Sequence, residues 1–192
     1  MHATQHVLGN GIGLVAALVL TCAAAQASDN RNLAVDAKSP GGERRLALVI
    51  GNGAYGSAPL RNPTNDARSV ARALSGLGFE VVHQENLSLR AMPRSIRDFG
   101  NKLKQNGGIG LFYYAGHGMQ VKGRNYLIPV DADIQSEDEI AFNAVDANLV
   151  LEKMDAANNG LNVVILDACR NNPFARSFRS AAQGLAQMDA PA

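Results

Sequence analysis

Two short segments hold the residue types that nucleophilic catalysis requires. Tyr113-Tyr114-Ala115-Gly116-His117-Gly118 frames a histidine between glycines, and Leu166-Asp167-Ala168-Cys169-Arg170-Asn171 places a cysteine beside an arginine. A thiol attacks as its thiolate, so near neutral pH it needs a neighbouring base or positive surroundings. His117 is the suitable base, and Arg170 adds local positive charge. Cys169, 52 residues after His117, therefore reads as a nucleophile with His117 as its proton acceptor. The competing reading is structural, a core histidine and a buried inert thiol. The glycines on either side of His117, which let the backbone approach a substrate closely, weigh against it. His83 has no such frame and reads as structural.

A third segment, Gly51-Asn52-Gly53-Ala54-Tyr55-Gly56, matches a phosphate-binding glycine pattern after a strand. That chemistry needs the last glycine to open a helix, so that phosphate meets the helix N-terminus. Here Ser57, Pro59 and Pro63 intervene, and Glu85 lies 29 residues beyond Gly56, farther than the usual ~20 for the ribose-binding acid. A tight glycine loop is the stronger reading, with nucleotide binding kept as a rival.

The elements that must position these residues alternate between strand and helix patterns. Leu46 to Ile50 is a continuous apolar run, as a strand buried on both faces should be. Further strands are expected at Phe79 to Val82, Ile109 to Tyr114 and Leu161 to Leu166. Asn65 to Leu77 reads as a helix with Ala67, Val70, Ala71 and Leu74 on one face, capped by Thr64 or Asn65 and ended by Gly76 or Gly78. Pro93 suits a first helical turn, Met92, Ile96, Phe99 and Leu103 recur at helical spacing, and Gly107-Gly108 breaks that helix. Asp146 can cap a helix carrying Leu149, Val150, Leu151 and Met154, ended by Gly160, and Gln120 to Pro129 reads as a hairpin turning at Lys122-Gly123. The pattern implies an α/β domain with a mostly parallel sheet covered on both faces. Sites in such sheets lie beyond the carboxyl ends of the strands. His117 is expected just past the third strand and Cys169 just past the fourth, on one edge of the sheet.

Composition narrows the function classes. The 192 residues carry 18 basic and 17 acidic side chains, a net charge of +1, which argues against a general nucleic-acid binder. Aromatics make up 5% with no Trp, too few for single-strand stacking platforms. Val7 to Ala25 is uncharged, with an apolar centre from Ile12 to Leu20 and a small-x-small site at Ala25-Gln26-Ala27. Residues 1–27 therefore read as a signal peptide cut before Ser28, which implies a periplasmic or secreted protein with no membrane attachment after cleavage. Its N-terminal part has His2 and His6 but no Lys or Arg, so an uncleaved anchor, or lipidation at Cys22, is the alternative. Cleavage leaves Cys169 as the only cysteine and His83 and His117 as the only histidines, which excludes an intrachain disulfide and a four-ligand structural zinc site. Residues 28–43 read as a polar linker, 44–180 as the domain, and 181–192 as a small-residue tail after a basic segment with Arg176 and Arg179.

Phe112 to Gly118 followed by Leu166 to Arg170, together with Asn125-Tyr126-Leu127-Ile128-Pro129-Val130-Asp131 and Leu46 to Asn52, resembles the caspase-like cysteine peptidases. The likeness is closest to the paracaspase and bacterial caspase-like branch, and it runs from Arg44 to Phe174 with four motifs in order. It implies a three-layer sandwich of a mostly parallel sheet flanked by helices. It also implies a catalytic dyad of His117 and Cys169, with an oxyanion hole from the backbone N–H groups of Gly118 and Cys169. Polypeptides are the implied substrates, without a cofactor. Caspases, which cut after Asp, carry Gln where Asp167 stands. A carboxylate there repels an acidic residue and suits Arg or Lys, and paracaspases and metacaspases, which cut after basic residues, have Asp. Asp66, in Pro63-Thr64-Asn65-Asp66-Ala67, matches a second pocket acid of paracaspases, although a helix N-terminus also favours an acid. Asp131, Asp133, Glu137, Asp138 and Glu139 could be set against the calcium site of metacaspases, but a solvated loop explains them equally well. The small-subunit segment of the family, with its last strands, is not recognisable after Cys169, so a truncated domain is expected. A homodimer is left open. The rivals are a catalytically inactive caspase-fold binding module or fragment, and a nucleotide-binding protein using Gly51 to Gly56.

Overall fold

The computed structural model describes residues 43–169. The signal peptide expected at 1–27, nearly all of the linker expected at 28–43, Arg170, Asn171, the basic segment and the tail expected at 181–192 lie outside the described residues. Six strands and four helices follow in the order β1 (Arg45–Gly51), α1 (Pro63–Gly76), β2 (Glu80–Glu85), α2 (Ala91–Asn106), β3 (Ile109–Val121), β4 (Arg124–Leu127), α3 (Ile140–Asn143), β5 (Val145–Asp146), α4 (Asn148–Asp155) and β6 (Leu161–Cys169).

The sheet is mixed. β1 pairs in parallel with β2 and β3, and β3 pairs in parallel with β6. β4 and β5 extend it antiparallel from the far end of β3. The three layers implied by the family resemblance are present. α1 seals one face, where Ala67, Ala71 and Leu74 meet Ala47, Val49, Leu111 and Tyr113. α2 and α4 seal the other, where Met92, Ile96, Phe99, Leu103, Val150 and Met154 meet Leu46, Leu48, Ile50, Phe112 and Tyr114. β1 and β3 are apolar at successive positions because both of their faces are covered.

Local boundaries shift for identifiable reasons. α1 starts at Pro63, whose fixed φ suits a first helical position, so Thr64 and Asn65 lie inside the helix, and Asn62 precedes it without a side-chain cap. β2 runs three residues past the expected Val82, because the ladder with β1 continues through His83↔Val49 to Glu85↔Gly51 and overrides the polar composition. Asp146 accepts from the backbone N–H of Asn148 at 2.9 Å and so steadies the start of α4. Lys122 and Gly123, both with positive φ, make the hairpin turn.

The consequential correction concerns the two motif strands. His117 and Cys169 do not follow strand ends. β3 continues past Tyr114 to Val121, and β6 continues past Leu166 to Cys169. Ala115 to His117 stay extended because Asp167 to Cys169 offer a parallel partner, and Gly118 to Val121 stay extended because β4 offers an antiparallel one. Flanking glycines do not stop a strand that keeps a pairing partner along its length. Phe112, fully buried at the centre of β3, anchors this strand between the helix layers. Phe112→Ala is expected to cost roughly 3–5 kcal/mol, read as a lowered urea midpoint.

Candidate active site

The continuous pairing of β3 with β6 sets the site. The register runs Tyr113↔Ile165, Ala115↔Asp167 and His117↔Cys169. Side chains alternate along a strand, so Tyr113, His117 and Asp167 share one face of the sheet, the face that carries α1. His117 and Cys169 stand at directly opposed positions on neighbouring strands.

His117 is 4% exposed and held from every side. Its backbone N–H donates to the Tyr55 hydroxyl at 2.9 Å. Its carbonyl accepts from the Tyr114 hydroxyl at 2.7 Å and from the Ile128 N–H at 3.0 Å. The Tyr55 hydroxyl in turn donates to the Ile128 carbonyl at 3.1 Å. The Tyr55 ring lies against the imidazole with centroids 4.4 Å apart and a tilt of 53°. A side chain at position 116 would collide with this arrangement, since a Cβ there would sit 2.6 Å from the Tyr114 hydroxyl and 2.7 Å from that of Tyr55. That is why glycine precedes the histidine.

The ring is oriented by one further contact. Nε2 lies 2.8 Å from the carbonyl oxygen of Ala58, which can only accept, so Nε2 carries the hydrogen. Nδ1 then holds the lone pair of the neutral ring, and it is buried without a hydrogen-bond partner among the described residues. Burial pushes the imidazole below its ordinary pKa, partly opposed by the Ala58 carbonyl, which favours the charged ring. Near neutral pH the side chain is an unprotonated base with its free nitrogen inside the site. A cavity of about 260 Å³ opens beside it, lined by Tyr55, Ser57, Ala58, His117, Asp131 and Asp133 among others.

The loop that brings Tyr55 and Ala58 to the histidine is itself tied down. Asn52 is fully buried, accepting from the Leu87 N–H at 2.9 Å and donating to the Ile128 carbonyl at 3.2 Å. Asn86 accepts from the N–H groups of Gly53 and Ala54. A Cβ at Gly51 would come within 2.6 Å of the Pro63 carbonyl, so this glycine serves close packing against α1.

Asp167 and Asp66 converge on Tyr113. Asp167 is exposed and accepts from the Tyr113 hydroxyl through Oδ2 at 3.1 Å. Asp66, exposed in the first turn of α1, acts on the same phenol through its charge. Burial, the hydrogen bond to Asp167 and the charges of Asp167 and Asp66 together push the phenol far above its ordinary pKa, so it stays protonated and donates. Gly118 is buried in β3 opposite Leu127. His83 sits on β2 at the other edge of the sheet, 3.3 Å from Glu85, apart from this cluster. In the acidic loop, Asp131 accepts from the Leu89 N–H and Asp133 from Gln135.

Tyr55, Tyr113, Tyr114 and the Ala58 carbonyl were not legible as site groups from spacing alone. A signal existed, for the chain has only four tyrosines and no Trp, and two of the four immediately precede the histidine motif.

A family model described as the caspase domain matches residues 44–190. The human mucosa-associated lymphoid tissue lymphoma translocation protein 1 is 34% identical over 143 residues, which cover 74% of this chain and 17% of that protein. Its mouse homologue is 35% identical over 127 residues, 66% of this chain and 15% of that protein. Cell death protein 3 of Caenorhabditis remanei is 29% identical over 133 residues, 66% of this chain and 23% of that protein. The chain thus spans less than a quarter of the length of each of these relatives.

Two outcomes follow from the cradle around the histidine. Tyr55→Phe strands the His117 N–H and is expected to destabilise the fold by about 1–3 kcal/mol, measurable by urea denaturation. The depressed pKa of His117 means that between its folded value and its unfolded value of about 6.5 the unfolded chain binds more protons, so stability falls as pH falls. In Cys169→Ala, which removes the thiol from the balance, the urea midpoint should drop between pH 7.5 and 5.5, and adding His117→Gln should shrink that drop.

Proposed function

The chain belongs to the caspase-domain family of cysteine peptidases, and from that premise we propose that it is an exported endopeptidase that cleaves after Arg or Lys through a dyad of Cys169 and His117. The observation that carries the reading is the free, buried Nδ1 of a histidine whose Nε2 is already committed, at the register position directly beside the cysteine.

In this mechanism Nδ1 of His117 takes the thiol proton as Sγ of Cys169 attacks the scissile carbonyl. The Ala58 carbonyl supports the imidazolium so formed, because the Nε2–H it accepts becomes more positive. The backbone N–H groups of Gly118 and Cys169 receive the oxyanion, each such donor contributing roughly 3 kcal/mol. His117 passes the proton to the leaving amine, an acyl-enzyme remains, and water attacks it, with the imidazole again accepting the proton. Asp167 and Asp66 supply negative charge beside the dyad, which favours a cationic side chain before the cleaved bond and disfavours Asp there.

The test compares initial rates on matched fluorogenic peptides ending in Arg, Lys or Asp. Cleavage after Arg and Lys is expected, with a loss of about ten-thousandfold in Cys169→Ala and in His117→Ala. Asp167→Asn should raise KM for the basic substrates. Cleavage only after Asp would keep the peptidase and overturn the pocket assignment. No cleavage, with Cys169 alkylated no faster than a free thiol, would favour the binding-module reading.

A further inference from the structure

Among the described residues, Tyr113 is a buried polar side chain at the site that the proposed chemistry does not use. Its ring is packed in the layer between β1, β3 and α1 with Ala47, Val49, Ala67 and Leu111, and the residue is only 5% exposed. Its hydroxyl emerges from that apolar layer at Oδ2 of Asp167, two positions farther along the neighbouring strand than its own register partner Ile165. Asp167 itself is exposed.

We infer that Tyr113 is a positioning residue for substrate selection, whose phenol holds the Asp167 carboxylate in the one orientation that receives a guanidinium or ammonium group. The inference rests on the reading that Asp167 selects Arg or Lys. An exposed aspartate turns freely about its side-chain bonds, and a cation entering the site must arrest that motion at an entropic cost. A rigid aromatic anchored in the core removes the cost in advance by fixing Oδ2. The carboxylate keeps Oδ1 and the remaining lone pair of Oδ2 for the substrate, since two ionised oxygens offer about four acceptor positions. The phenol suits this task because its O–H donates to the carboxylate. Two nearby carboxylates and burial oppose its ionisation, so it does not add a competing charge of its own. It also sits where the fields of Asp66 and Asp167 overlap, which makes it the physical link between the two acids.

Tyr113→Phe keeps the ring in its apolar layer and deletes only the donor. KM for Arg and Lys peptides should rise about tenfold, the loss of one hydrogen bond to a charged group, while kcat stays within about twofold. Benzamidine, a guanidinium-like competitor, should weaken by the same factor. The rate at which iodoacetamide alkylates Cys169 should not change, which separates this role from a general loosening of the fold. In the Asp167→Asn background the tyrosine substitution should have no further effect on KM, so the double variant provides a second, independent reading of the same contact. If Asp167→Asn raises KM and Tyr113→Phe does not, the inference is overturned and the basic-residue pocket stands. If Asp167→Asn leaves KM unchanged, both fall together. A Tyr113→Phe protein that loses kcat and alkylation rate in step with its urea midpoint, and that is equally impaired in the Asp167→Asn background, would overturn it in favour of a structural tyrosine.

Discussion

The pairing of β3 with β6 is the constraint on which the site depends. Nine consecutive register pairs, from Ile109↔Leu161 to His117↔Cys169, carry two distant segments of chain side by side. Strand pairing has a side-chain period of two, so a slip by one residue would turn Asp167 to the opposite face from His117 and Tyr113. The apolar lower half of both strands enforces the register. Phe112, Tyr114, Val164 and Leu166 must meet the α2–α4 layer, while Leu111, Tyr113 and Val163 must meet α1. The hydrophobic core thereby sets the placement of a polar pair several residues away.

Burying a histidine at the end of that ladder creates a difficulty that the surrounding residues resolve. A buried polar group is costly unless it is hydrogen-bonded. Tyr55 and Tyr114 satisfy the backbone of His117, and the Ala58 carbonyl satisfies Nε2. The two tyrosines share further acceptors, since both hydroxyls also reach the Ile128 carbonyl, which connects β3, β4 and the loop after β1 in one cluster. Asn52 and Asn86 extend the cluster to the end of β2. Nδ1 is the ring nitrogen left without a partner among the described residues.

The electrostatics of the two halves of the site differ in kind. Around His117 burial dominates, and it keeps the ring neutral. Around Tyr113 like charges add to burial, and the result is a region of negative potential anchored at the exposed carboxylates of Asp66 and Asp167. A neutral base and a negatively charged surface therefore share one face of the sheet. Because the acids are exposed, their effect should weaken as salt screens it, whereas the buried base should be much less sensitive.

The sequence alone carried the fold class, because continuous apolar runs, helical spacing and turn residues each have a local physical cause. It also singled out His117 and Cys169, since a glycine-framed histidine and a cysteine beside an arginine stand out by type and spacing. It placed Asp167 next to the cysteine for the same local reason. It misjudged where β3 and β6 end, because whether a residue stays extended depends on a partner strand remote in sequence. Nor could it show that Tyr55, the spacer in a glycine pattern, lies against the histidine ring, or that the Ala58 carbonyl selects the tautomer, or that the Tyr113 hydroxyl meets Asp167. Those relations join residues more than fifty positions apart through backbone atoms and side-chain directions. Only the register of the sheet and the path of the loop over it decide them, because neither leaves a local pattern in the order of residues.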